Sequence, residues 1–260
     1  MHQKTSNGVR SGFLFTYFLQ LTALANFYLR GLSFTLRNAV SVRGGGTNPY
    51  ESARLALSRD CQSFFTHLER LGLLETQFEG FERIDGISGT ILAANHPGLF
   101  DAFLVFRRFP HAACVMRSDL RKNICFRGYS RECGFVPNDN GREFLDAAIK
   151  ALRRGDNLLV FPEGTRTAPG QILNPFQRGF AHAAIRAGAP VQTILIQQEG
   201  DYLRKGQSLL APARFPIRIA LSLGELFYPA PREKVSAFCE RVRAWFLERL
   251  THKETNRGRA

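Results

Sequence analysis

The sequence predicts an α/β domain, a mixed, mainly parallel sheet flanked by helices, with an amphipathic N-terminal helical segment ahead of it. Three observations carry this. Short apolar runs over 90–94, 157–161 and 191–197 alternate with stretches whose apolar residues recur at helical spacing, the pattern of strands joined by crossover helices. The first two runs lead straight into loops bearing charged residues, and open α/β sheets place their ligands past strand ends. The first 43 residues hold no aspartate or glutamate at all.

The N-terminal segment carries Lys4, Arg10, Arg30, Arg37 and Arg43 but nothing charged between Arg10 and Arg30. Drawn as a helix, Thr16, Gln20, Asn26, Arg30, Ser33 and Arg37 gather on one broad side. Phe13, Phe18, Leu21, Leu24, Ala25, Leu32 and Leu36 gather on the other. A basic amphipathic stripe without acids fits a helix, or a helical pair broken near Gly31, lying in a membrane interface. A transmembrane helix is open on length, and a core helix of a soluble domain is the plain alternative. A signal peptide fits less well, because no small-residue cleavage site is evident and apolar character continues to Val42.

Gly44-Gly45-Gly46 reads as a hinge. It divides the chain into a membrane-associated segment 1–46, an α/β domain 47–250 and a basic tail 251–260 that is expected to fray. Within the domain, Ser52–Leu74 is a helix, with Leu55, Cys61, Phe64, Phe65, Leu68 and Leu71 on its apolar side. A short strand and a turn at Asp85-Gly86 follow. Thr90–Ala94 is a buried strand, and a helix starts near Pro97. Ala112–Met116 is a strand, and Gly134–Asn140 a strand end and turn. Arg142–Arg154 is a helix stopped by Gly155. Asn157–Phe161 is a strand, Gly179–Ala187 a helix stopped by Gly188, and Val191–Gln197 and Pro216–Leu223 are strands. Glu233–Leu250 is a helix with Val235, Phe238, Val242, Trp245, Phe246 and Arg249 on one side.

Net charge is +13, which favours anionic partners without choosing among nucleic acid, lipid, phosphorylated substrates or an acidic carrier. Between Arg107 and Arg131 lie seven arginines and lysines against Asp119 alone. Most are expected to be a solvated surface, with a local basic face between the two loops as the sharper reading. The five cysteines include no CxxC pair and no zinc spacing, so reduced thiols in a cytosol-facing domain are expected.

The first loop, Asn95-His96-Pro97-Gly98-Leu99-Phe100-Asp101, joins an imidazole to a carboxylate. An imidazole near its free pKa accepts protons at neutral pH, and a carboxylate on its Nδ1–H fixes the tautomer and stabilises the cation that forms. No serine or cysteine nucleophile stands between them, so the simplest task for His96 and Asp101 is to deprotonate a hydroxyl of the substrate. The second loop, Phe161-Pro162-Glu163-Gly164-Thr165-Arg166, puts Glu and Arg directly after a buried strand. Either Arg166 pairs with Glu163 to cap the sheet, or the guanidinium holds a phosphate, with Gly164 and Thr165 adding an N–H and a hydroxyl.

Together the loops resemble the glycerolipid acyltransferase family, whose lysophosphatidic acid acyltransferases carry NHxxxxD and FPEGTR blocks. Asn95, His96 and Asp101 match the first block, and Phe161 to Arg166 match the second completely. Arg117-Ser118-Asp119-Leu120 and Gly188-Ala189-Pro190-Val191 resemble two further stretches, and the likeness covers roughly Thr90 to Ile196. The resemblance implies acyl transfer from an acyl-carrier-protein or coenzyme A thioester to a lipid hydroxyl, with no cofactor, metal or acyl-enzyme. His96 would be the base and Asp101 its orienting partner. Glu163, Gly164, Thr165 and Arg166 would form the acceptor's phosphate site, with Asn95, Arg117 and Arg142 as further substrate or carrier contacts. It also implies association with the cytoplasmic face of the inner membrane. Two departures bear on the acceptor: Asn140 follows Gly134-Phe135-Val136-Pro137-Asn138-Asp139 where the family has an arginine, and Thr193 stands where it has a proline. The Gly-Phe-Val-Pro-Asn-Asp form looks like members found with bacterial aryl polyene biosynthesis genes, so a non-glycerolipid acceptor is an alternative to lysophosphatidic acid. A nucleic-acid-binding protein would rest on charge alone, with no reading motif, and nucleic acid is not an expected partner. A thioester hydrolase would use the same residues with water as acceptor. A non-catalytic lipid-binding relative gives the His96–Asp101 pair nothing to do.

Overall fold

The computed structural model describes residues 4–38, 48–84, 86–138 and 140–257. The glycine hinge at 44–46, Val42, Asp85, Asp139 and the last three residues lie outside these. The chain forms α1 (Lys4–Asn38), α2 (Glu51–Arg70), β1 (Leu74–Glu79), β2 (Ile91–Ala94), α3 (Asp101–Arg108) and β3 (Ala113–Met116). It continues with α4 (Ser118–Lys122), α5 (Ile124–Glu132), β4 (Val136–Pro137), α6 (Gly141–Arg153) and β5 (Leu158–Val160). The last elements are α7 (Gly179–Ala187), β6 (Val191–Gln198), β7 (Ile217–Phe227) and α8 (Val235–Arg257).

The strands form one sheet in the order β1-β7-β6-β2-β5-β3-β4. Every pairing is parallel except β6 with β7, so the mixed, mainly parallel sheet expected from the sequence is present. Its central strands are buried on both faces and read as continuous apolar runs for that reason. β2 lies between β5 and β6, with Ile91 opposite Leu158 and Ala93 opposite Val160. Parallel neighbours end at the same edge, about 5 Å apart. The loop after Ala94 and the loop after Val160 therefore leave the sheet side by side, although more than sixty residues separate them in sequence.

α1 is one unbroken helix rather than a pair broken at Gly31. Gly31 instead lets α1 close on α5: a Cβ there would stand 2.2 Å from the Cys125 carbonyl oxygen. The polar side of α1 faces the domain. Arg30 pairs with Asp60 at 2.6 Å, and the Thr35 hydroxyl meets the Ile124 carbonyl and the Gly128 N–H. Phe27 joins Phe64, Phe100 and Phe103 in the core, and Phe34 packs on Tyr129. Leu14, Phe18, Ala25, Leu29 and Leu36 face outward and are exposed. No helix among the described residues is long and apolar enough to cross a membrane.

Other boundaries differ from the sequence reading for local reasons. α2 stops at Arg70, and Leu74 opens β1 after a turn at Gly72, whose φ is +67°. The helix expected from Pro97 begins only at Asp101, because Gly98 and Leu99 bond to the chain at 203–204. β7 runs on to Phe227 because β6 pairs with it antiparallel as far as Val191. α8 starts at Val235 and continues through the expected frayed tail to Arg257. Glu233 precedes it, accepting the Ala230 N–H and pairing with Arg241. Arg249, expected inward, is exposed with its guanidinium over the Trp245 ring. All five cysteines are free thiols, and Cys61, Cys114, Cys133 and Cys239 are buried.

Candidate active site

The site is the pair of loops at the sheet edge past β2 and β5. Asn95 is buried, and its amide copies a strand residue: Oδ1 accepts the Ile196 N–H at 2.7 Å and Nδ2 donates to the Ile196 carbonyl at 2.8 Å. Both ends of that side chain are committed to β6, so Asn95 pins the loop to the neighbouring strand.

His96 is fixed from four directions. Its Nδ1 lies 2.8 Å from Asp101 Oδ2. Its ring stacks on Phe161, with centroids 4.0 Å apart and planes 20° from parallel. Its backbone N–H donates to Glu163 Oε1 at 2.8 Å, and its carbonyl accepts the Thr167 N–H at 2.7 Å. The side chain keeps 20% of its surface exposed. With Nδ1 committed to the carboxylate, Nε2 is the ring nitrogen left to face a reactant.

Asp101 opens α3 and is fully buried. Oδ2 accepts from Gly98 N–H at 2.8 Å as well as facing His96, while Oδ1 has no hydrogen-bond partner among the described residues. Burial pushes its carboxyl above the usual carboxylate range. The bonds to His96 and Gly98 and the positive charge of Arg166 oppose this without cancelling it. A Cβ on Gly98 would come within 2.2 Å of Gln198 Oε1, so that amide would have to turn away.

Glu163 faces inward. Oε1 takes the His96 N–H and the Thr167 hydroxyl, and Oε2 takes the same hydroxyl and the Asn174 N–H at 2.8 Å. Its carboxylate thereby joins the second loop to the first. Arg166 makes no ion pair among the described residues, so the Arg–Glu cap that the sequence left open does not form. Its Nη1 donates instead to the carbonyls of Leu203 and Arg204, at 2.9 and 3.2 Å. Gly164 spends its N–H on the Phe161 carbonyl at 2.9 Å, so it does not offer the anion donor expected there. Gly164 and Thr165 border an open cleft with Asn138, Phe144, Gln177 and His182.

Arg117 and Arg142 are exposed and bond to neither loop. Arg117 pairs with Asp119 at 2.9 Å, and Arg142 lies in the first turn of α6, its N–H capped by Asn140. The basic face expected over 107–131 is smaller than its sequence count, because Arg107 pairs with Glu69 and Arg108 lies over Phe78 and Phe81. The sequence reading did not single out Phe161 as a platform for His96, Thr167 and Asn174 as partners of Glu163, or Leu203 and Arg204 as the support of Arg166. A signal for the last was present. Antiparallel β6 and β7 need only a short turn, yet residues 199–216 join them, and connections longer than about 15 residues are usually functional.

Residues 75–197, which carry both loops and with them the His–Asp pair and the glutamate that ties the loops together, match the family model described as Acyltransferase. A 1-acyl-sn-glycerol-3-phosphate acyltransferase of Cocos nucifera is 25% identical over 63% of this chain and 54% of its own length. A 1-acyl-sn-glycerol-3-phosphate acyltransferase alpha of Mus musculus is 39% identical over 28% of this chain and 26% of its own. The chain thus spans about half of the first relative and about a quarter of the second. The crystal structure of the 1-acyl-sn-glycerophosphate (LPA) acyltransferase PlsC from Thermotoga maritima has the same fold, with a TM-score of 0.70 over 92% of this chain and 98% of that one at 22% identity.

Proposed function

We propose that the protein transfers a fatty acyl chain from an acyl thioester to the hydroxyl of a lysophospholipid such as 1-acylglycerol-3-phosphate. The observation that carries this reading is the fixed His96 imidazole, with Nδ1 on a buried carboxylate and no serine or cysteine bonded to its ring among the described residues. Nε2 takes the proton of the acceptor hydroxyl as its oxygen attacks the thioester carbonyl. The tetrahedral adduct collapses, the C–S bond breaks, and the departing sulfur takes that proton from the imidazolium. Asp101 stabilises the imidazolium between the two transfers. Arg166 grips the acceptor's phosphate, and Glu163 positions His96 rather than touching an anion. The donor is an acyl-carrier-protein or coenzyme A thioester.

The outward stripe of α1, from Leu14 to Leu36, runs about 33 Å at 1.5 Å per residue. It lies in the membrane interface at the cytoplasmic face, and the net positive charge favours anionic lipid. The test is a thioester assay with palmitoyl-coenzyme A and a panel of acceptors, including lysophosphatidic acid and non-phosphorylated alcohols. Lysophosphatidic acid becomes acylated in wild type and not in His96→Ala. Acylation of the non-phosphorylated alcohols alone would remove the phosphate role from Arg166 and favour a non-glycerolipid acceptor, as in aryl polyene assembly. Release of free fatty acid regardless of acceptor would make the protein a hydrolase.

A further inference from the structure

Gln20 is a buried amide in the middle of α1, 2% exposed, on a helix whose opposite face is apolar. Such a group persists only if its hydrogen bonds are met, and they are met by one segment. Nε2 donates to the carbonyls of Leu209 and Ala211, and Oε1 accepts the Ala213 N–H at 3.0 Å. Tyr17, one turn earlier, donates to the Leu210 carbonyl at 2.8 Å. α1 therefore holds the connection 199–216 near its far end.

The near end of that connection holds the site. The Leu203 carbonyl accepts the Leu99 N–H at 3.1 Å and Arg166 Nη1 at 2.9 Å. Arg204 bridges Gly98, and its carbonyl takes Arg166 as well. Leu203 itself has φ +71° and a buried side chain. A branched residue in the left-handed region is strained and stays there only where its surroundings hold it. Tyr202 ties the two ends together, its hydroxyl donating to the Leu209 carbonyl at 2.9 Å.

We propose that Gln20 is a positioning residue: by fixing 209–213 it holds the strained Leu203 carbonyl against both Arg166 and the His96–Asp101 loop. The inference rests on the reading of Arg166 as the grip on the acceptor's phosphate. It makes the helix that presents the apolar stripe also the helix that sets the acceptor site.

The test uses the full chain and the variant Gln20→Ala, with two readouts. In the transfer assay the acceptor KM rises about tenfold, the loss of one charge-assisted alignment, while the KM for palmitoyl-coenzyme A stays at the wild-type value. In amide hydrogen exchange, the Ala213 and Leu99 N–H groups both exchange faster than in wild type. Faster exchange at Ala213 with Leu99 unchanged overturns the proposal, because the anchor would be lost without loosening the site. Equal rises in donor and acceptor KM overturn it as well. If wild type acylates no lysolipid, the function reading fails and the exchange result at Leu99 decides the positioning role alone. If Gln20→Ala does not fold, Tyr17→Phe removes only the bond to Leu210, and the Leu99 exchange rate in that variant decides in the same way.

Discussion

Two aspartates are buried among the described residues, and they are treated oppositely. Asp156 sits two residues before β5 with its charge matched: Arg54, itself 1% exposed, pairs with it at 2.9 Å. Arg154 bonds it too, and the Asn48 amide donates at 2.7 Å. Burial alone would raise its carboxyl, but the bonds from Arg54 and Arg154 and their charges outweigh burial and hold it below the usual range. Asp101 sits past β2 with a single imidazole beside it, one oxygen without a partner, and a carboxyl held above the usual range by burial. A carboxylate serving the fold is fully paired. Asp101 is left short of positive charge, and under the proposed reaction it gains most when His96 becomes a cation. Local rules are broken where function needs it.

Substitutions break that comparison at different depths. Asp101→Asn keeps the shape and removes the charge, and transfer is expected to fall by about 10⁴-fold, read in single-turnover acyl transfer. Its urea midpoint should equal or exceed that of wild type, because an ill-compensated buried group has been neutralised. Turnover near the wild-type rate would end the idea that the two aspartates differ in kind. Asp156→Asn should do the reverse. It leaves Arg54 buried without its counter-charge and costs about 3–5 kcal/mol in urea unfolding, with transfer per folded molecule little changed.

Arg166→Ala should lower kcat/KM for a phosphorylated acceptor by about 10- to 100-fold, the scale of a hydrogen bond to a charged group, and should act through the acceptor's KM. Unchanged acceptor kinetics would reduce Arg166 to a strut for 203–204.

The smallest effect sharpens the comparison through pH. Asp156 has a folded pKa below its unfolded value near 3.9, so its contribution is present above that value and is lost as pH falls through the folded pKa. Asp101 has a folded pKa above its unfolded value, so the folded state binds its proton more tightly and stability is lost as pH rises from the unfolded toward the folded pKa. Urea unfolding at several pH values over about 3 to 6 should therefore show opposite changes of slope in Asp156→Asn and Asp101→Asn. Parallel curves would show that the two sites titrate alike.

Much of this architecture was legible in the chain. The central strands follow from short apolar runs, and Gly188 with φ +67° ends α7 where the sequence placed its stop. The start of α3 was not legible, because the bonds that keep Pro97–Phe100 out of the helix come from residues 203–204. The exposed stripe of α1 could be read from its periodicity. The inward role of Gln20 could not, since its partners lie 189 to 193 residues away.

The sequence by itself determined the pairing of His96 with Asp101. A histidine and an aspartate five residues apart after a strand are brought within reach of each other by a strand end and a turn, which are local geometry. Only the tertiary structure decided how the other charged groups are employed. The strand order places β5 beside β2, and that placement turns Glu163 onto the His96 N–H and leaves Arg166 without an acidic partner among the described residues. A buried polar group must find a hydrogen-bond partner, and which one it finds depends on the neighbours that folding supplies across the sheet.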